Sequence, residues 1–264
     1  MKTNTAPIGF FDSGIGGTSI WSAVTHLLPQ ESTVYVADSA NAPYGEKSPE
    51  EIVALSVKNT EFLLDHGAKL IVVACNTATT NAIASLRARY PVPFVGIEPA
   101  IKPAALQTKS GKVGLLATKG TLGSALFHKT ALENTSGVEL IEQEGAGLVP
   151  LIEAGFELGD EVRQLLQTYL NPMLEKGIDT LVLGCTHYPY LKPILKEILP
   201  PHLLVLDAAA AVAKQTQTLL IQHELLAAGL GESKHIFFTN KQTALLARFV
   251  PAPLQEQVYF TSDF

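Results

Sequence analysis

Two cysteines are the residues of this chain whose type and position most directly suggest chemistry. Cys75 ends the apolar run "KLIVVAC" and Cys185 ends the run "TLVLGC", and a helix-like segment follows each of them. The reference pKa of a cysteine thiol is about 8.5, and helix N-termini and charged partners lower it. One thiol can therefore rest as a thiolate while the other keeps its proton. Two such groups on opposite sides of a cleft would suit the removal of a proton from one face of a carbon and its return to the other face.

A buried structural role is the alternative for each cysteine, because unpaired cysteine is among the residues most often found in protein cores. For a single cysteine at the end of a strand the two interpretations are evenly matched. The equivalent positions of Cys75 and Cys185 favour the catalytic interpretation for the pair.

Polar residues near the two cysteines could assist the chemistry or bind a substrate. His187 lies two residues after Cys185, so its imidazole could reach the thiol or a substrate carboxylate; an isolated histidine would more often be a cap or a core residue. Hydroxyl and amide groups next to predicted strand ends could bind two carboxylates and an ammonium group, or could simply cap helices. These residues are Asn76, Thr77, Thr118, Thr121 and Thr186.

Two loops have compositions that suit a binding site. The segment "FDSGIGGTS" (residues 11–19) predicts a strand–loop–helix turn whose backbone N–H groups could approach an anion. It departs from the GxGxxG pattern, so a small carboxylate fits it as well as a dinucleotide does. The segment "DSANAPYGEKSPEE" (residues 38–51) has turn chemistry and a predicted helix start at Ser48–Pro49, and an ordinary surface loop is the alternative for it.

Short apolar runs with helix-length segments between them predict an α/β fold with mainly parallel sheets covered on both faces. The runs are residues 8–12, 33–38, 69–75, 93–98, 112–118, 137–142, 180–185 and 203–207. In such sheets chemistry tends to gather at the carboxyl ends of the strands. Five polar or reactive residues hold such positions: Asp12, Asp38, Cys75, Thr118 and Cys185.

An internal repeat predicts two related lobes with the active site in the cleft between them. Residues 67–100 match residues 177–210 in pattern, and this match aligns Cys75 with Cys185; residues 8–19 and 113–124 align similarly. Chance similarity between two βαβ units is the alternative. We expect residues 1–97 and 207–264 to form the first lobe, completed by strands at 235–239 and 257–260 and a helix over 240–250. Residues 98–206 would form the second lobe.

Composition and charge exclude several classes of partner. Of the 264 residues 47% are apolar, the net charge is −6, and no cluster of Lys and Arg is present to attract a phosphate backbone, so nucleic acid is not expected. No apolar stretch approaches the roughly 20 residues that a membrane span needs, and the polar N-terminus lacks a secretory signal. We therefore expect a cytoplasmic protein whose two cysteines are free thiols.

The motifs "DSGIGG", "PYG", "ACNTAT" and "GCTHYP" closely resemble those of the glutamate racemase family, within the aspartate/glutamate racemases, over essentially the whole chain. The resemblance implies a homodimeric enzyme that interconverts L- and D-glutamate without a cofactor or a metal and supplies D-glutamate for peptidoglycan. It makes Cys75 the base for D-glutamate and Cys185 the base for L-glutamate. The assisting acids or bases would be Asp12 near Cys75 and Glu153 with His187 near Cys185. The substrate would be held by Asp12, Ser13, Tyr44, Gly45, Asn76, Thr77, Thr118, Thr121, Thr186 and His187.

Other functions stay open on the residues alone. Aspartate or a hydantoin could replace glutamate, and Cys185 with His187 could act in acyl transfer, although that leaves Cys75 unexplained. A ligand-binding protein, a metal site of Cys75, Cys185 and His187, or a lysine Schiff base are further alternatives. The chain also departs from the family where many members carry "GDxARxPYG", since Ala37 and Asn41 replace two common residues.

Overall fold

Two parallel β-sheets, each flanked by helices, form the protein. The structure is a computed structural model that describes residues 5–135, 137–227 and 232–264. The strands in chain order are β1 (Ile8–Asp12), β2 (Thr33–Ala37), β3 (Leu70–Val73), β4 (Phe94–Gly96), β5 (Lys112–Ala117), β6 (Glu139–Glu144), β7 (Thr180–Gly184), β8 (Leu204–Leu206), β9 (His235–Thr239) and β10 (Val258–Phe260). The predicted α/β class is confirmed.

Helices connect consecutive strands, as parallel pairing requires. The helices in chain order are α1 (Thr18–Leu27), α2 (Pro49–Asp65), α3 (Asn76–Arg89), α4 (Ile101–Gln107), α5 (Lys119–Leu122), α6 (Ala125–Asn134), α7 (Leu148–Glu153), α8 (Asp160–Glu175), α9 (Lys192–Ile198), α10 (Ala209–Gln222) and α11 (Thr243–Arg248). Short 3-10 helices occur at Ser39–Asn41, Tyr44–Glu46, Tyr188–Leu191 and Ala252–Gln257.

The strand orders of the two sheets reproduce the internal repeat. The larger sheet has the order β10-β9-β2-β1-β3-β4 and the smaller one the order β6-β5-β7-β8, so β2-β1-β3-β4 and β6-β5-β7-β8 correspond. The strands of the larger sheet fall within the sequence ranges predicted for the first lobe, and those of the smaller sheet within the range predicted for the second. The exact lobe boundaries stay a prediction.

Local sequence signals explain where the site-bearing elements begin and end. Helix α2 starts at Pro49 as predicted: Glu51 N donates to Ser48 Oγ at 3.2 Å, and Ser48 N donates to Glu51 Oε2 at 2.9 Å. The predicted strand over 69–75 ends already at Val73, because Cys75 is the residue that caps α3. The helix predicted over 240–250 is likewise shorter, Thr243–Arg248.

The repeat is least regular just after Cys185. Where the first lobe has the single helix α3, the second has the 3-10 turn Tyr188–Leu191 followed by α9. Pro189 and Pro193 lack the N–H groups that a continuous α-helix would need there. His187 therefore lies at the start of a tight turn, two residues after Cys185.

A hydrophobic core continues from one sheet to the other. One cluster of buried side chains includes Val24 of α1, Val72 of β3, Leu166 of α8 and Leu183 of β7, together with Leu220 of α10. The region between the two sheets is therefore supported by closely packed side chains. Within the described residues, no helix has the length and apolar character that spanning a membrane requires.

Candidate active site

The carboxyl ends of the strands bring the candidate residues together. Asp12 is the last residue of β1, Cys75 follows β3, Thr118 follows β5, and Cys185 follows β7. Both thiols are nearly enclosed, with exposed fractions of 4% for Cys75 and 7% for Cys185.

Cys75 lies between the end of the first strand and the start of its own helix. Its Sγ is 3.7 Å from Ser13 Oγ, it accepts a hydrogen bond from Ala78 N at 3.5 Å, and it contacts the Asp12 carboxylate. Burial, followed by the negative charge of Asp12, raises the pKa of the Cys75 thiol well above its usual value. Cys75 therefore carries its proton at neutral pH and is set up as a proton donor.

Cys185 is paired with a histidine and a carboxylate. The Cys185 Sγ lies 3.8 Å from His187 Nδ1, and His187 Nε2 lies 2.7 Å from Glu153 Oε1. Burial lowers the pKa of His187, but the hydrogen bonds to Cys185 and Glu153 and nearby negative charge outweigh it and hold this pKa well above its usual value. His187 is accordingly a cation at neutral pH, placed to stabilise negative charge on the Cys185 sulfur.

Asp12 links the two thiol environments. Gly17 N donates to Asp12 Oδ2 at 2.8 Å, and Thr186 Oγ1 donates to Asp12 Oδ1 at 3.4 Å. Burial raises the pKa of Asp12, while the charge of His187 and the hydrogen bond from Gly17 oppose that rise. The carboxylate thus contacts Cys75 on one side and the residue next to Cys185 on the other.

Backbone N–H groups of the glycine-rich turn of residues 14–17 donate hydrogen bonds to carboxylates of the protein itself. Ile15 N donates to Glu153 Oε1 at 2.7 Å, so an N–H of the turn binds a side chain from the other lobe. A Cβ on Gly14 would lie 1.8 Å from Glu153 Oε1, and one on Gly16 would lie 2.3 Å from His187 Nδ1. Close approach to Glu153 and His187 therefore explains why these two positions are glycine.

A cluster of hydroxyls from both lobes forms another wall of the site. Thr118 Oγ1 is 2.9 Å from Thr77 Oγ1 and 3.0 Å from Thr121 Oγ1. Gly45 packs on this cluster, since its Cβ would lie 3.1 Å from Thr118 Cβ. Asn76 Nδ2 is buried without a hydrogen-bond partner in the protein, which leaves a donor available for a bound carboxylate.

Tyr44 is brought to the site but its hydroxyl is already engaged. This hydroxyl donates to Asp38 Oδ2 at 2.5 Å and accepts from Asn59 Nδ2 at 3.0 Å. Asn240 Nδ2 donates to Asp38 Oδ1 at 2.5 Å. The sequence pattern predicts Asp38 at a strand end but does not indicate Asn59 or Asn240, because single amides far away in the sequence carry no local signal.

A cavity of about 410 Å³ lies next to Glu153. Its lining includes Pro43 from one loop, Val149 and Glu153 from α7, and Lys241 after β9. Glu153 Oε2 is buried and has no hydrogen-bond partner in the protein. Among the described residues there is no group of three or more His, Cys, Asp and Glu side chains arranged to hold a metal ion.

The fold and the site define a class of enzyme that sequence comparison also reports. The sequence model of the Asp/Glu/Hydantoin racemase family matches residues 18–216. The chain belongs to this family and is an amino-acid racemase, an isomerase.

Several relatives of similar sequence carry the more specific name glutamate racemase. The chain is 54% identical over 228 residues to the glutamate racemase of Ectopseudomonas mendocina, which covers 86% of this chain and 87% of the relative. It is 48% identical over 252 residues to that of Pseudomonas aeruginosa, with 95% of each chain covered.

Solved glutamate racemases share the whole fold. Isoform RacE1 from Bacillus anthracis has a TM-score of 0.86 at 32% identity, covering 98% of this chain and 97% of its own. The Francisella tularensis enzyme in complex with D-glutamate has a TM-score of 0.84 at 28% identity, covering 98% of each chain. The Escherichia coli enzyme in complex with L-glutamate and the activator UDP-MurNAc-ala has a TM-score of 0.82 at 34% identity, covering 97% of each chain.

Replacing Glu153 by glutamine is expected to lower kcat/KM by about a hundredfold. Glu153 is one of the groups that raise the pKa of His187, so its loss lowers that pKa and the imidazolium deprotonates at a lower pH. The alkaline limb of the pH–rate profile should therefore move to lower pH. Glu157→Gln is the matched control, because Glu157 pairs with Arg248 and not with His187. An unchanged profile in Glu153→Gln would contradict the role given to this carboxylate.

Proposed function

We propose that this racemase interconverts L-glutamate and D-glutamate without a cofactor, using Cys75 and Cys185 as opposed acid and base. The observation that carries the proposal is the matched placement of the two thiols after the equivalent strands β3 and β7, each with its own acid–base partner. The relatives named as glutamate racemases, and the D-glutamate and L-glutamate complexes of two of the solved structures, support the substrate.

In the L-to-D direction Cys185 acts as the base. Its thiolate, next to the His187 cation, removes the α-proton from one face of L-glutamate. Cys75 is protonated because of burial and the nearby Asp12 charge. It delivers its own proton to the opposite face of the substrate. The reverse direction exchanges the roles of the two thiols. Buried hydrogen-bond donors around the substrate stabilise the negative charge that develops on it.

The polar groups of the site match a dicarboxylate with an ammonium group. Unpaired Asn76 Nδ2 and the hydroxyls of Thr77, Thr118 and Thr121 offer donors for the carboxylates. The Asp12 carboxylate offers an acceptor for the ammonium group. A cleft that encloses the thiols also excludes water from the carbanion-like transition state.

The enzyme would act in the cytoplasm and supply D-glutamate for peptidoglycan synthesis. It would do so as a homodimer. These parts of the proposal rest on the resemblance to the family. Sedimentation of the purified protein tests the dimer, and D-glutamate auxotrophy of a deletion strain tests the biosynthetic role.

Racemisation of glutamate by the purified protein is the direct test. L-glutamate and L-aspartate are incubated separately without added cofactor, and circular dichroism follows the loss of optical activity. We expect glutamate to react at least about tenfold faster in kcat/KM than aspartate, since one missing methylene shifts the carboxylate away from its donors. Racemisation of neither amino acid would overturn the proposed substrate class, and a preference for aspartate would correct the substrate. A visible absorbance band from a lysine imine would contradict the cofactor-free mechanism.

A further inference from the structure

We propose that Asn240 is a positioning residue that holds the substrate-facing loop of residues 38–45 in its binding position. Asn240 directly follows β9 and lies 200 positions after Ala40 of this loop in the sequence. The inference rests on the proposed function, because that function makes Tyr44 and Gly45 part of the glutamate site. It assigns a role in substrate binding to a segment that none of the recognised motifs includes.

The side-chain amide of Asn240 binds the loop in two directions. Ala40 N donates to Asn240 Oδ1 at 2.8 Å, and Asn240 Nδ2 donates to Asp38 Oδ1 at 2.5 Å. The contact is possible because β2 and β9 are parallel neighbours whose register pairs Ala37 with Thr239. Each strand therefore delivers its next residues to the same edge of the sheet.

Asp38 carries this restraint onward to Tyr44. The Asp38 carboxylate is completely buried, and besides Asn240 it accepts from Tyr44 OH at 2.5 Å and from Asn41 Nδ2 at 2.7 Å. Asn59 from α2 completes the network at Tyr44 OH.

The loop connects the network to the reacting groups. Tyr44 and Cys75 belong to the same cluster of packed, buried side chains. Burial, followed by the charge of Asp38 and the hydrogen bond to it, raises the pKa of Tyr44 well above its usual value, so the phenol keeps its proton and donates it to Asp38. Gly45 lies against Thr118 of the hydroxyl cluster. A displacement of residues 38–45 would therefore move one wall of the substrate site without touching either cysteine.

One side of this loop borders a cavity. Ser39, Ala42 and Pro43 of the loop line the cavity of about 410 Å³, and so do Thr239 and Lys241 on either side of Asn240. The two hydrogen bonds to Asn240 join this side of the loop to the segment that follows β9. Their loss leaves the loop free to shift toward the cavity.

Replacing Asn240 by aspartate tests this role. Ala40 N keeps an acceptor in the variant, but the donor to Asp38 becomes a second carboxylate, and like charges repel. We expect KM for glutamate to rise at least about tenfold, the factor that loss of a hydrogen bond to a charged group typically produces. We expect kcat to change less than about threefold, because the thiols keep their places. Gln242→Ala is the matched control, since Gln242 lines the same cavity and its side chain makes no capping hydrogen bond.

Exchanging the two groups distinguishes positioning from general destabilisation. The Asn41 amide donates to the same Asp38 oxygen as Asn240 does, so the exchange is made together with Asn41→Ala, which removes this second donor. With Asp38→Asn and Asn240→Asp in that background, the donor moves to position 38 and the acceptor to position 240, and the contact is restored with reversed polarity. We expect KM of this exchanged pair to return to within about threefold of the value for Asn41→Ala alone. Hydrogen exchange of residues 38–45 should be faster in Asn240→Asp and slow again in the exchanged pair.

Each outcome decides the inference. An unchanged KM in Asn240→Asp overturns it, as does a folded exchanged pair that keeps the raised KM. If Asn240→Asp melts so low that its kinetics cannot be interpreted, the exchanged pair alone decides in the same way. If the wild type does not racemise glutamate, the proposed function fails. The rate of hydrogen exchange in residues 38–45, compared between the wild type and Asn240→Asp, then decides whether Asn240 holds the loop.

Discussion

Replacement of either Cys75 or Cys185 by alanine is expected to abolish racemisation while the protein stays folded. Each thiol is required in both directions, once as base and once as acid, so loss of one removes a step that the other cannot perform from the opposite face. We expect kcat to fall by at least about 10²–10⁴-fold, the contribution of a positioned general acid or base. Circular dichroism at fixed glutamate concentration measures the loss, starting from each enantiomer.

Serine variants at both positions supply the matched comparison. Cys75 Sγ accepts a hydrogen bond from Ala78 N as the N-cap of α3, and serine preserves an acceptor there whereas alanine does not. The serine hydroxyl is a far weaker acid than a thiol, so Cys75→Ser should fold as well as the wild type and yet be inactive. Turnover near the wild-type level in a variant would remove that cysteine from the mechanism. A large drop in melting temperature in all four variants would instead favour a structural core role for the thiols.

Racemisation in heavy water is expected to place solvent deuterium in the product from the first turnover, while recovered substrate stays protiated at early times. The proton that one thiol removes stays on that side of the carbon. The opposite thiol, which has equilibrated with the solvent, delivers deuterium. Starting from L-glutamate, Cys185 should remove the proton and Cys75 deliver the deuterium; starting from D-glutamate, the roles reverse.

Mass spectrometry of the separated enantiomers at low conversion measures this labelling in both directions. A single base serving both faces would return part of the original proton to the product and would also label recovered substrate. Substantial protium in the product would therefore contradict the two-thiol mechanism, even if both cysteines proved essential. A reaction run in ordinary water with glutamate deuterated at the α-carbon provides the converse control, in which the product should lose its label.

Much of the fold is predictable from the sequence because its signals are local. The buried strands show as apolar runs, the start of α2 shows as a capping box at Ser48 and Glu51, and the repeat aligns β3 with β7 and Cys75 with Cys185. These features need only neighbouring residues or one internal comparison. The family followed from short motifs around the same residues.

The tertiary structure decided how the site residues meet, because those contacts join residues distant in the sequence. Ile15 N binds Glu153 across 138 positions, and Asn240 binds Asp38 across 202. Such pairs depend on strand register and on how the two sheets pack, and neither leaves a local pattern. For the same reason the sequence predicted a glycine turn that could receive an anion, but only the packed structure shows that the anion bound by Ile15 N is the protein's own Glu153.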